Sequence, residues 1–98
     1  MQSKKKTILI VDDVSAMRAL FTRFLKLDGY DVVEAGSGEE ALKLAEVSHF
    51  DGILLDLNLP GIDGIETCRH LRVLSKYMIT PILIITATDK NAALSSAF

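Results

Sequence analysis

The stretches TILIVD (Thr7–Asp12) and GILLD (Gly52–Asp56) are aliphatic runs that each end in an aspartate. Nearly continuous runs of this kind are typical of parallel strands that are buried on both faces. DVVEA (Asp31–Ala35) and ILIIT (Ile82–Thr86) predict a shorter second strand and a fourth strand. Parallel strands need helical crossovers of right-handed sense, so the sequence predicts an α/β fold, an open parallel sheet flanked by helices on both faces.

Helix signals separate these strands. A first helix should end near Asp28, because Gly29 suits the left-handed position that often follows a helix. Ser37 with Glu40 matches a capping box that opens a second helix, which should run to about Val47. The apolar stripe of the first helix comprises Met17, Leu20, Phe21, Phe24 and Leu25.

A turn-rich loop, Leu57–Asp63, follows the third strand and contains Pro60 and Gly61. Asp63 and Glu66 bracket the start of a third helix, on which Ile65, Cys68 and Leu71 should share one face. A short last helix, Asn91–Phe98, would complete four βα units.

Composition excludes several classes of protein. The chain has 98 residues, 49% of them hydrophobic, and a formal net charge of −2, so it carries no field that would attract nucleic acid or an anionic membrane. The single Cys68 cannot form an internal disulfide, and no apolar run approaches a bilayer-spanning length. We expect one cytoplasmic domain that does not bind nucleic acid directly and is not a membrane protein.

Three aspartates should meet at the carboxyl edge of the sheet. Asp12 and Asp13 follow the first strand and Asp56 ends the third, so neighbouring strands would gather their charges in one crevice. A hard divalent cation such as Mg²⁺ offsets that repulsion, and a carbonyl from the next loop, that of Asn58, could complete its oxygen ligands.

Asp56 is the best candidate nucleophile, since a carboxylate beside Mg²⁺ can attack phosphorus. It ends a rigid strand and precedes a loop that leaves space for a donor, whereas Asp12 and Asp13 suit metal binding better. Thr86 ends the fourth strand at the same edge, where its hydroxyl could donate a hydrogen bond to a phosphoryl oxygen.

These features resemble the receiver domains of two-component response regulators. The acid pair Asp12-Asp13, the strand-ending Asp56, the loop Leu59–Gly64 and the pair Thr86-Ala87 match that family in order and spacing. The resemblance implies a strand order of 2-1-3-4. It also implies phosphoryl transfer to Asp56 from a phosphohistidine on a sensor histidine kinase or a histidine phosphotransfer protein.

The same resemblance implies that Mg²⁺ is bound by Asp13, Asp56 and the carbonyl of Asn58, and through water by Asp12. It implies a phosphoacceptor that promotes its own phosphorylation and dephosphorylation, and not an enzyme with turnover. Residues 1–98 contain no counterpart of the family's fifth strand, its lysine or its fifth helix. We therefore predict a single receiver domain over residues 1–98 that lacks its fifth βα unit, with an exposed fourth-strand edge that promotes self-association.

Other functions remain open at this point. Gly36-Ser37-Gly38 with Ala41 fits a dinucleotide-binding fingerprint, although Glu39 and Glu40 would place negative charge where a pyrophosphate must lie. An aspartate-nucleophile phosphohydrolase would need a second acid two residues after Asp56, where Asn58 stands. An inactive receiver-fold fragment that serves only as an interaction module is a further alternative.

Overall fold

The computed structural model describes residues 5–85, and they form a four-stranded parallel sheet with three α-helices. No helix within that range is long and apolar enough to cross a membrane. The elements are β1 (Thr7–Val11), α1 (Ser15–Leu27), β2 (Asp31–Ala35), α2 (Gly38–Val47), β3 (Gly52–Asp56), α3 (Gly64–Val73), a 3-10 helix (Ser75–Tyr77) and β4 (Ile82–Ile85).

The strand order is β2-β1-β3-β4, which confirms the predicted order. Strand β1 is central and pairs in parallel with both β2 and β3, with Val11 opposite Ala35 on one side and Leu55 on the other. Strand β4 pairs with β3, where Ile85 lies opposite Asp56. The chain order reverses between β1 and β3, and open α/β sheets bind ligands at such a point.

Helices cover both faces of the sheet. Alternate residues of a strand point to opposite faces, so Leu9 and Leu55 face α2 and α3 while Ile8 and Leu54 face Leu25 of α1. The main core lies under α2 and α3 and comprises Leu9, Val11, Ala35, Ala41, Ala45, Phe50, Ile53, Leu55, Leu59, Leu71 and Tyr77. This core fixes β1 and β3 side by side.

The helix ends follow the local signals. Gly29 has φ +94°, the left-handed conformation predicted for it. Ser37 Oγ accepts a hydrogen bond from Glu40 N at 3.1 Å, and Glu40 Oε1 accepts one from Gly36 N at 2.6 Å. The capping box is therefore present, but the Glu40 side chain accepts from Gly36 N, the residue before the N-cap, and not from the N-cap residue Ser37. Asp63 Oδ1 likewise accepts from Glu66 N at 2.9 Å at the start of α3.

One local expectation was wrong, and one element had not been predicted. Ile65 is 42% exposed, because α3 turns the stripe Gly64, Thr67 and Leu71 toward the core instead. The 3-10 helix Ser75–Tyr77 had no clear sequence signal, yet it buries Tyr77 completely. Thr86 and the predicted last helix, Asn91–Phe98, lie outside the described residues, and the absence of a fifth βα unit stays a prediction.

Candidate functional site

The carboxylates of Asp12, Asp13 and Asp56 come together at the carboxyl edge of β1 and β3. Each offers an oxygen atom, and these atoms all lie within 4.8 Å of one another. The parallel pairing of Val11 with Leu55 explains this convergence, because the next residues of the two chains, Asp12 and Asp56, must then lie side by side. The topology thus brings together the three acids that the sequence singled out.

Asp12 is held by several hydrogen bonds. It is 2% exposed, and its Oδ1 accepts from Val14 N at 2.9 Å, which shapes the turn into α1. Its backbone N–H donates to the Ala35 carbonyl at 3.1 Å, so the β1–β2 ladder continues one residue past the strand. Asp13 is exposed at the rim. One fixed acid and one accessible acid therefore stand side by side.

Asp56 is 1% exposed at the last position of β3. Its Oδ1 accepts from Asn58 N at 3.1 Å, and Leu57 N donates to Ile85 O at 2.9 Å, so the backbone just after the strand end is fixed at two consecutive residues. Burial of two carboxylates beside a third is unfavourable unless positive charge or hydrogen bonds offset it. A hard cation that prefers oxygen ligands matches this set of donors.

The loop between β3 and α3 is closed at its base by Gly64. Gly64 N donates to Leu57 O at 3.0 Å. A Cβ at this position would overlap the Asp56 carbonyl oxygen and would lie 2.7 Å from Leu57 Cα, so only glycine permits this approach. Gly61 turns the outer part of the loop with φ +73°. Asn58 is therefore held in a short closed loop directly after Asp56.

Sequence reasoning missed two residues that support the site. Arg18 of α1 donates from Nη1 to the backbone carbonyl of Asp12 at 2.7 Å. Glu39 of α2 accepts at Oε2 from Ile62 N in the β3–α3 loop at 3.2 Å. Neither has a short-range signal, since Glu39 and Ile62 are 23 positions apart and Arg18 fits an ordinary exposed helix position. Thr86, the remaining candidate, lies beyond the residues that the structure describes.

A 2-1-3-4 parallel sheet with acids at the ends of its two central strands defines an α/β module of the receiver class. The model of the response regulator receiver domain family matches residues 8–98. The chain belongs to that family, and it is a receiver domain of the two-component response regulators.

Curated relatives support the assignment. The chain is 47% identical over 86 residues to the alkaline phosphatase synthesis transcriptional regulatory protein PhoP of Bacillus subtilis, covering 88% of this chain and 35% of that protein. It is 40% identical over 91 residues to the transcriptional regulatory protein ResD of the same organism, covering 93% of this chain and 37% of that protein. The chain therefore spans little more than a third of the length of these two relatives.

Solved structures agree on the fold. The chemotaxis protein CheY4 of Vibrio cholerae superposes with a TM-score of 0.83 at 34% identity, over 96% of this chain and 79% of that one. The comparisons do not favour a nucleotide-binding protein built on Gly36-Ser37-Gly38 or an inactive fragment. In the structure Ser37 caps α2 and Gly38 lies in its first turn, so this motif has structural roles.

Proposed function

We propose that Asp56 accepts a phosphoryl group from a phosphohistidine, with Mg²⁺ held by Asp13, Asp56 and the carbonyl of Asn58 and, through water, by Asp12. The donor is a sensor histidine kinase or a histidine phosphotransfer protein, as the family implies. One observation carries the proposal. Three carboxylates, two of them almost fully buried, converge at the β1–β3 edge where open α/β sheets bind ligands.

The donor set supports Mg²⁺. Receiver domains generally bind this ion. Carboxylate and carbonyl oxygens are its preferred protein ligands, and it keeps several waters, so an exposed Asp13 beside buried Asp56 suits a partly hydrated ion. When bound, Mg²⁺ would supply positive charge that offsets the negative charge of the phosphoryl group and of the carboxylates.

The reaction is a direct transfer to a carboxylate. One carboxylate oxygen of Asp56 forms a bond to phosphorus while the P–N bond of the phosphohistidine breaks, and its electron pair returns to the imidazole nitrogen of the donor. No net redox change or added co-reactant is needed. The hydrogen bond from Asn58 N to Asp56 Oδ1 would orient the carboxyl group for attack, and the hydroxyl of Thr86 would donate to a phosphoryl oxygen.

This role makes the chain a phosphoacceptor and not a turnover enzyme, because the covalent product forms on its own side chain. The partner would supply the phosphohistidine, and no direct contact with nucleic acid is proposed for these residues. The cytoplasmic setting predicted from Cys68 and the single domain over residues 1–98 stay predictions.

We also infer that the chain associates with a second copy through the β4 side of the sheet. Leu83 is 63% exposed and Phe24 of α1 is 60% exposed. Within residues 5–85, β4 pairs with β3 alone. A groove of about 190 Å³ lies on this side, lined by Ile8, Leu25, Tyr30, Gly52, Ile53, Leu54, Pro81 and Leu83. Apolar surface beside a strand edge favours pairing with another chain.

The phosphoacceptor proposal is tested with phosphoramidate, a small donor whose P–N bond resembles that of phosphohistidine. The 98-residue chain is incubated with this donor and Mg²⁺, and phosphoryl incorporation is followed by intact-mass spectrometry. We expect one phosphoryl group per chain, and we expect EDTA to suppress its incorporation.

Two variants make the assignment specific. Asp56→Asn should abolish incorporation, whereas Asp51→Asn should keep it. Asp51 is a matched control because it lies at the other end of β3. Its Oδ2 accepts a hydrogen bond from Thr7 N at 2.8 Å, and the side-chain oxygen of asparagine can accept the same hydrogen bond. Equal incorporation into both variants would rule out Asp56 as the acceptor.

A further inference from the structure

The first turn of α2 lies against the β3–α3 loop. Glu39 Oε2 accepts a hydrogen bond from Ile62 N at 3.2 Å. A Cβ built on Gly61 would lie 2.6 Å from the same Oε2 atom and 3.2 Å from Oε1, so the carboxylate covers the turn where φ is +73°. The Glu39 side chain thus fastens the outer part of the loop to α2.

Gly38 makes this contact possible. A Cβ at Gly38 would overlap Thr67 Oγ1 of α3 and would lie 2.7 Å from Ile62 Cγ1. Without a side chain at this position, α2 packs closely on the loop and on α3, and the neighbouring Glu39 can reach Ile62 N. The Gly36–Ala41 stretch that resembles a dinucleotide fingerprint therefore contains the contact that joins α2 to the loop.

The loop that Glu39 holds is the loop that carries Asn58. On its inner side Asn58 N donates to Asp56 Oδ1 at 3.1 Å, and at its base Gly64 N donates to Leu57 O at 3.0 Å. Pro60 and Gly61 are exposed between these points. Without the bond to Glu39, the outer loop would lose a charge-assisted hydrogen bond that limits its movement relative to Asp56.

We propose that Glu39 is a positioning residue for the metal site, which acts through the β3–α3 loop by holding the carbonyl of Asn58 in place. The inference rests on the proposed function, because Asn58 is a ligand only if the site binds Mg²⁺. Residues that orient metal ligands without touching the metal typically change its affinity by about 10- to 100-fold when removed. Glu39→Ala should therefore weaken Mg²⁺ binding about tenfold.

The experiment measures Mg²⁺ affinity of the 98-residue chain by NMR titration for the wild type and three variants. Glu39→Ala removes the acceptor and the charge, whereas Glu39→Gln removes the charge but keeps an oxygen that can accept from Ile62 N. Glu46→Ala removes one exposed negative charge from the same helix and serves as the matched control. Only Glu39→Ala should lose Mg²⁺ affinity, and only this variant should show faster amide exchange at Ile62. The Mg²⁺ affinities of Glu39→Gln and Glu46→Ala should stay within about twofold of the wild type.

Phosphorylation by phosphoramidate separates positioning from a general loss of stability. In Glu39→Ala the Mg²⁺ concentration for half-maximal rate should rise about tenfold, while the rate at saturating Mg²⁺ stays close to that of the wild type. Wild-type affinity in Glu39→Ala, or an equal loss in Glu39→Gln, would overturn the inference while leaving the proposed function intact. A wild-type chain that does not bind Mg²⁺ would overturn both.

Discussion

Arg18 of α1 donates from Nη1 to the backbone carbonyl of Asp12 at 2.7 Å, and its Nε donates to Glu34 Oε1 of β2 at 3.1 Å. One guanidinium therefore joins the first helix, the second strand and the acid that follows the first strand. Thr22 Oγ1 adds a 2.9 Å bond to the other oxygen of Glu34, so both carboxylate oxygens are held. The position of Asp12 depends on this connection as well as on the sheet.

Arg18→Ala should lower the free energy of unfolding by about 1–2 kcal/mol. The hydrogen bond to Asp12 is partly buried and has a charged donor, whereas the half-exposed ion pair with Glu34 contributes little. Urea denaturation followed by circular dichroism measures the loss. Arg23→Ala removes an exposed arginine from the same helix and should change stability by less than about 0.5 kcal/mol. Equal effects of the two variants would contradict this account of Arg18.

Asp13→Ala should weaken Mg²⁺ binding at least about tenfold, the largest effect among the acids other than Asp56. The reason is that Asp13 is the exposed member of the cluster and would bind the ion directly. Calorimetry or NMR shifts must report the ion, because the chain has no tryptophan. Asp31→Ala, an exposed acid at the opposite end of β2, should leave the affinity nearly unchanged. An unaffected Asp13→Ala variant would remove this residue from the ligand set.

Tyr77→Phe should destabilise the chain by about 1 kcal/mol at neutral pH. The Tyr77 hydroxyl is buried and lies 3.0 Å from the Ala45 carbonyl and 2.8 Å from the Ser48 carbonyl, and phenylalanine would leave these acceptors without that donor. The variant should stay folded, because the ring and its packing are kept. Urea denaturation of both proteins measures the difference.

The same pair of proteins should show a pH dependence. Burial raises the pKa of the Tyr77 hydroxyl above its ordinary value of 10.0, an effect only partly opposed by a backbone hydrogen bond at Phe50. Above the ordinary value the unfolded chain releases this proton while the folded chain keeps it, so the stability contributed by Tyr77 falls as pH rises. The difference in free energy of unfolding between the wild type and Tyr77→Phe should have its largest value at about pH 8 and should be smaller at about pH 11. A difference that grows with pH would contradict the direction of the pKa shift.

Leu83→Glu should reduce self-association. Its side chain lies on the apolar β4 side, and a charge there would have to be desolvated in any interface with a second chain. Light scattering across a concentration series should show a mass that rises with concentration for the wild type and stays lower for the variant. Val73→Glu on α3 is the matched control, since Val73 is equally apolar and more exposed but lies away from β4. A monomeric wild type at high concentration would refute this interface.

Much of the fold was predictable because its signals are local. The aliphatic runs of β1 and β3, the left-handed Gly29 and the caps Ser37 and Asp63 all depend on neighbouring residues, and the structure agrees with each. The convergence of the three acids could be predicted only if β1 and β3 were neighbours in the sheet. That expectation came from the family resemblance and not from periodicity.

The supporting contacts were not predictable in the same way. Arg18 and Glu39 act on residues brought near them by the tertiary fold, and an arginine or glutamate on a helix has no sequence pattern that distinguishes such a role from an exposed position. Ile65 was assigned to the wrong face because the helix turns small residues, Gly64 and Thr67, toward the closely packed α2. Close packing of this kind depends on the distance between two helices, which apolar spacing does not determine.

The most direct test of the central claim is to locate the phosphoryl group on the chain. An aspartyl phosphate is reduced by borohydride to homoserine, so the phosphoramidate-treated chain is reduced, digested and sequenced by tandem mass spectrometry. We predict homoserine at position 56 when Mg²⁺ is present and none there when EDTA replaces it. Homoserine at Asp12, Asp13 or Asp51 in place of Asp56, or at no aspartate, would contradict the assignment of Asp56 as the phosphoryl acceptor.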